Sequence, residues 1–204
     1  EKVIRLCNSG LMILRGENLS KHLSQIKNKN AQGEYYLVDL PKILAEEHIS
    51  TGVIRGDYYE LRGVNSRAQL AELEQAFQHR MRLNMMDEGV TLLDPNTVYF
   101  HHDTKLAPDC VVHQNVVFGA NVTTESRVTI LPFCVLEGAH IKADSSIGPF
   151  ARIRPNTVIH EHVKVGNFVE VKNATLHPHV KASHLSYIGD ADVGAFSNFG
   201  CGAI

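Results

Sequence analysis

From Leu106 onward an aliphatic or aromatic residue returns mostly in steps of six or a multiple of six, and this beat restricts the fold more than any other feature of the chain. The anchors are Leu106, Val112, Phe118, Ile130 and Leu136, then Ile147, Ile153, Ile159, Val165 and Val171, then Leu176, Ala182, Ile188, Val193 and Phe199. Four residues beyond the anchors stand small or β-branched side chains: Cys110, Val116, Val122, Cys134, Ala151, Thr157, Val163, Val169, Val180 and Ser186. Thr124 is a weak anchor, and single-residue slips fall near Ile141, Leu176 and Val193.

A hexad held this long predicts a parallel β-helix, left-handed in its hexapeptide form. Each hexad supplies a short strand and a turn, and three hexads close a triangular coil of about 18 residues. Successive coils rise by about 4.8 Å, so the anchors stack into an axial apolar column. The absence of Trp suits an interior tiled by small branched residues. Glycine follows the anchor at 119, 148, 166, 189, 194 and 200. These glycines are expected at the corners, where a Cβ is costly or a positive φ is required.

The residues before the repeat have another texture. Residues 1–64 suggest an α/β remnant, with strands near Leu11 to Leu14 and Gly52 to Ile54 and helices near Leu19 to Ile26 and Leu40 to Glu47. In residues 65–89, Leu70, Leu73, Phe77, Met81 and Met85 recur at helical spacing, which predicts one connecting helix whose stripe packs on a neighbour. Asn65 or Ser66 can cap its start, and Gly89 suits its end. Residues 90–204 form the β-helix.

Twenty Lys and Arg against 22 Asp and Glu leave a net charge of -2, so nothing points to nucleic acid or an anionic membrane. Cys7, Cys110, Cys134 and Cys201 form no CxxC pair, as expected of reduced thiols in the cytoplasm. No apolar run reaches the roughly 18 residues of a membrane span. The chain starts on Glu rather than Met and ends on an unfinished coil, so it is expected to be a fragment truncated at both ends.

In a solenoid, residues one coil apart lie above each other. Arg154 and Lys172 each follow an anchor, 18 residues apart with no slip between them, so their charges are expected about 5 Å apart. Such a pair can clamp a phosphate; the alternative is two solvated surface charges. His184 and Tyr187 fall within the next coil, where an imidazole suits a general base and a phenol can hold a polar substrate. His160 and His162 stand 17 residues before His177 and His179, one coil once the slip is counted. Those four form two columns, either exposed corner side chains or a zinc site.

The stretch "RIRPNTVIHEHVKVGNFVEVKNATLHPHVKASHLSYIGDADVGAFSNFGCGAI" closely resembles the carboxy-terminal domain of the bacterial bifunctional glucosamine-1-phosphate N-acetyltransferase / N-acetylglucosamine-1-phosphate uridyltransferase family. "NSGLMI", "NAQGEYYLVDL" and "GVNSR" resemble the later part of its uridyltransferase, or pyrophosphorylase, domain. The resemblance implies acetyl transfer from acetyl-CoA to the amine of glucosamine 1-phosphate, coupled to UTP-dependent formation of UDP-N-acetylglucosamine. It implies a homotrimer with sites between neighbouring prisms. It also implies His184 as base, Arg154 and Lys172 as phosphate contacts, Tyr187 and Asn198 as sugar ligands, and Cys201 near acetyl-CoA. In the first half it implies Asn8 and Asn65 at the UDP-N-acetylglucosamine site, with Gly33 and Glu34 nearby and Asn65 a ligand of Mg²⁺. The family's glycine-rich UTP loop and metal-binding aspartate are expected upstream of Glu1.

The sequence departs from the family at Asn156, where "RPN" replaces "RPG", at Cys201 and Ala203, where "GCGA" replaces "GAGT", and at His177 and His179, which replace glycines. Two other functions fit parts of the pattern. One is a zinc-dependent hydratase resembling γ-class carbonic anhydrases; the other is a β-helix serving only as the trimerising scaffold of a nucleotidyltransferase.

Overall fold

The computed structural model describes residues 6–203. They divide into two compact units, Glu1–Leu73 and Glu74–Ile204.

The first unit holds two short helices, α1 (Leu19–Leu23) and α2 (Leu40–Glu46). A carboxylate joins them: Glu47 accepts from Lys21 at 3.0 Å and Gln25 at 2.8 Å, and lies 3.1 Å from His22 Nε2. These donors, Gln25 first, hold the Glu47 carboxyl at about 2. Among the described residues of this unit the strands expected near Leu11–Leu14 and Gly52–Ile54 do not form. Ile13 is 96% and Ile54 89% exposed. An extended segment without a ladder partner leaves its N–H and C=O groups to water, so apolar content alone does not make it a strand.

Helix α3 (Arg67–Asp87) starts where the sequence placed it. Ser66 Oγ accepts the Gln69 N–H at 3.2 Å, and Gln69 Oε1 accepts the Asn65 N–H at 2.8 Å, a reciprocal cap. Gly89, at φ +92°, ends it in the left-handed conformation. The expected stripe is only partly right. Met85 is buried and Met81 packs on the core, whereas Leu70 is exposed and the polar Gln78 is buried more deeply than its neighbour Phe77.

The second unit is the expected parallel β-helix. Its first face stacks Thr91–Leu92, Val111–Val112, Thr129–Ile130, Ser146–Ile147, Lys164–Val165, Lys181–Ala182 and Asn198–Phe199. The second carries Tyr99, Val117–Phe118, Val135–Leu136, Arg152–Ile153, Glu170–Val171 and Tyr187–Ile188. The third carries Lys105, Thr123–Thr124, Ala139–Ile141, Thr157–Ile159, Thr175–Leu176 and Asp192–Val193. All pairs are parallel. The strands Lys164–Lys172 and Lys181–Gly189 run unbroken from the first face to the second. The anchors fill the axis: Ile130, Leu136, Ile147, Ile153, Ile159, Val165, Val171 and Leu176 are 1% exposed or less. Burying each contributes roughly 1.5–3 kcal/mol against its exposed state.

The corners differ from expectation. The left-handed residue stands three places after the anchor, or two where the coil is one residue short, and at nearly every corner it is not glycine: Asn115, Phe133, Phe150 and Phe168 at one edge, Asn121, Asn156, Asn173 and Asp190 at another, Arg127, Asp144, His162 and His179 at the third. Positions step by six except at Phe133 to Gly138, Phe168 to Asn173 and Leu185 to Asp190, where they step by five. Those short steps are the slips near Ile141, Leu176 and Val193. The anchor-plus-one glycines serve close approach instead. A Cβ on Gly166 would strike the Ser183 carbonyl, and one on Gly148 the Cys134 sulfur. Of that set, Gly148 alone has a positive φ, and Gly194 and Gly200 have open space around them.

Candidate active site

The second face presents two edges, and most of the candidate residues lie along them. At its far edge, toward the third face, register alignment builds one column: His101, Gly119, Glu137, Arg154, Lys172 and Gly189. Arg154 and Lys172 are therefore vertical neighbours, as their spacing required. Arg154 is not left as a bare cation, because its Nη1 donates to Glu170 Oε1 at 2.8 Å, with both side chains about one-third exposed. That ion pair occupies one of five guanidinium donors and fixes the plane of the group. The position above Lys172 is Gly189, with no side chain of its own, and Tyr187 fills it. A Cβ there would collide with the Tyr187 hydroxyl and ring. The phenol thus lies at the head of the Arg154–Lys172 column, which sequence spacing alone did not indicate.

His184 occupies the near edge, just before the corner residue Leu185. It pairs with Asn167 one coil below and is exposed, while Ser186 beside it is buried and donates to the His184 carbonyl at 3.1 Å. Above it stands Cys201: Asn198 pairs with Lys181, Phe199 with Ala182, and the Gly202 N–H donates to the Leu185 carbonyl at 2.8 Å. His184 and Cys201 thus share a column that the sequence had treated separately. Asn198 is exposed on the first face, around the corner from Tyr187 and Lys172.

Beside His184 runs an apolar ladder that the sequence reading missed. Phe133, Phe150 and Phe168 stack at 4.9 and 5.1 Å along the same corner and continue into Leu185, each about half exposed. The signal was present: Phe133, Phe150 and Phe168 all stand at anchor-plus-three, a position given elsewhere mostly to Asn, Asp or His. Left-handed φ is uncommon for bulky residues.

The other histidine columns form as spaced. His160 stacks on His177 at 5.0 Å and 25°, and His162 on His179 at 4.9 Å and 7°. Imidazole lone pairs lie in the ring plane, so face-to-face rings aim them side by side rather than at one ion. That geometry argues against the zinc hydratase. A depression of about 590 Å³ opens at the corner between the second and third faces, lined by Glu137 of the Arg154 column together with Asn121, His140, Asn156 and Val158.

In the first unit, Asn8 and Asn65 are both exposed. Asn8 Oδ1 accepts the Gly10 N–H at 2.8 Å, an Asx turn that shapes the "NSG" loop. Among the described residues no helix is long and apolar enough to cross a membrane.

The bacterial transferase hexapeptide (six repeats) model matches residues 138–173, the middle coils. The bifunctional protein GlmU of Zymomonas mobilis is 45% identical over all 204 residues, which are 45% of its own length. That of Paracoccus denitrificans is 47% identical over 203 residues, 46% of its length. The chain spans somewhat under half the length of these relatives. A solved acetyltransferase domain of PglB from Neisseria gonorrhoeae, in complex with acetyl coenzyme A, aligns over 57% of this chain and 61% of its own, at 17% identity and a TM-score of 0.33, a likeness too slight to extend the comparison. The chain is therefore similar along its whole length to the bifunctional GlmU proteins, and its second unit contains a left-handed parallel β-helix whose middle coils match the bacterial transferase hexapeptide.

Proposed function

We propose that the protein transfers an acetyl group from acetyl-CoA to the amine of glucosamine 1-phosphate. The observation that carries this reading is the Arg154–Lys172 column headed by the Tyr187 phenol, on the same face as His184. The two cations take the phosphate and the phenol takes a sugar hydroxyl. His184 accepts the proton that the amine loses as its lone pair attacks the thioester carbonyl, and the coenzyme A thiol then departs. Asn198 contacts the sugar from the first face, and Cys201, above His184, lies along the acetyl-CoA path.

A single prism is convex here, so we propose a homotrimer in which a neighbouring prism walls the site. The half-exposed ladder from Phe133 to Phe168, next to His184, is the apolar surface such packing would cover. For the first unit we propose the UDP-N-acetylglucosamine end of a uridyltransferase, with Asn8 on the N-acetylglucosamine moiety and Asn65 toward Mg²⁺, UTP being the second substrate. The exposed Asn8 loop and Asn65 support that reading. A cytoplasmic location fits these substrates and keeps the thiols reduced.

The test is release of coenzyme A thiol that depends on glucosamine 1-phosphate. His184→Ala is expected to lower kcat about 10²–10⁴-fold. Arg154→Ala is expected chiefly to raise KM for the sugar phosphate. A protein without acetyl transfer, or His184→Ala at full rate, overturns the reading and leaves the trimerising scaffold. Light scattering that gives a monomer overturns the trimer.

A further inference from the structure

We propose that His101, His102 and Asp103, on the first coil of the β-helix, bind one divalent transition ion of the zinc class. One ligand atom from each lies within 4.8 Å of the other two. Zinc holds nitrogen and oxygen donors at about 2.0–2.2 Å, so donors in its shell stand roughly 3–3.5 Å apart. Small side-chain rotations close that difference.

The backbone carrying the three residues is already fixed. The His101 N–H donates to the Phe118 carbonyl at 3.0 Å, and the Thr104 N–H closes the turn on the His101 carbonyl at 3.1 Å. Both Asp103 oxygens accept the Asn121 N–H, at 3.0 and 3.1 Å, which anchors the carboxylate to the coil above. His101 Nδ1 hydrogen-bonds Asp103 Oδ1 at 2.8 Å, which already holds these two ligand atoms together, and an ion would take the place of the shared proton.

Ring orientation separates this cluster from the corner histidines. His101 and His102 are 4.4 Å apart and tilted by 47°, so their in-plane lone pairs can converge, whereas His162 and His179 are parallel within 7°. The rung above His101 is Gly119, which leaves its space to the stem of Glu137, 3.2 Å from where a Gly119 Cβ would stand. A second carboxylate thus belongs to the same column. Two imidazoles with a carboxylate favour zinc, nickel, cobalt or copper over magnesium and calcium, which prefer oxygen donors throughout. A bound ion would tie the first coil together and stabilise the fold by mass action.

The experiment titrates the chelator-stripped protein with Co²⁺, read by visible absorption, and with Zn²⁺, read by calorimetry. One tight equivalent is expected, with a rise in Tm. Asp103 also serves Asn121, so His102→Ala, which removes an exposed ring, is the decisive variant. It should weaken Zn²⁺ at least tenfold, as should His101→Ala, while His160→Ala/His177→Ala should not. Uptake unchanged by His101→Ala and His102→Ala, uptake lost instead with the corner histidines, or no saturable uptake would each overturn the proposal.

Discussion

The side-chain amide of Gln78 brackets the backbone of Phe100. Its Nε2 donates to the Phe100 carbonyl at 2.6 Å, and its Oε1 accepts the Phe100 N–H at 2.8 Å. The helix side chain replaces the strand that a lower coil would have supplied, and Arg82 adds a bond to the Val98 carbonyl at 2.9 Å. A β-helix must end without a bare ladder, and α3 performs that closure.

Gln78→Leu keeps the volume and removes both partners, leaving a buried N–H and C=O unsatisfied. The expected cost is about 2–4 kcal/mol, a fall in Tm on the order of 10 °C. The exposed neighbour His79→Ala should stay within about 2 °C. Thermal unfolding of the two variants compares them directly, and equal small shifts would contradict the closure.

The hexad explains why so much of the second unit could be read in advance. An anchor such as Ile153 is apolar because it points along the axis, and a slip such as Phe168 to Asn173 shows as a broken count. Contacts set by side-chain direction leave no such trace. Gln78 looks like a polar residue on a helix surface, and Tyr187 lies over Gly189 only because the phenol leans forward along its strand into an empty rung. The same gap explains Leu11–Leu14: apolar content marks a candidate strand, but pairing decides it.

Tyr99 donates its hydroxyl to Glu74 Oε1 at 2.6 Å, and that bond, with lesser burial, pushes its pKa up to about 12. The folded state therefore holds the proton more tightly than the unfolded chain, whose tyrosine titrates near 10. The contribution is complete below pH 10 and fades between 10 and 12. An ultraviolet titration should show one of the six tyrosines ionising late. Glu74→Gln should return it toward 10; six indistinguishable tyrosines would contradict the bond.

The thiols should divide by burial. Burial raises Cys134 to about 11, since its thiolate would lie against the apolar axis, and Cys110 is buried too. Cys7 and Cys201 are exposed. At pH 8, two equivalents of an aromatic disulfide reagent should react promptly and the other two only after denaturation. In the folded state Cys134 stays protonated, so its contribution to stability is full below pH 9 and is lost as pH rises toward 11. Four equally fast thiols would mean the axial column is open.

Two glycines on continuous strands should respond oppositely to the same substitution. A methyl on Gly166 meets the Ser183 backbone carbonyl, which cannot move without disturbing the pairing of Asn167 with His184. Gly166→Ala should therefore cost about 2–3 kcal/mol and lower Tm by roughly 5–10 °C. A methyl on Gly189 meets only the far end of the Tyr187 side chain, which can swing aside. Gly189→Ala should leave Tm within about 2 °C yet raise KM for glucosamine 1-phosphate several-fold, because the phenol no longer heads the Arg154–Lys172 column. Tyr187→Phe keeps the ring and loses the hydroxyl, so it should raise KM in the same direction. Equal thermal losses in the two glycine variants, or an unchanged KM in Gly189→Ala, would show that Tyr187 does not hold the position assigned to it.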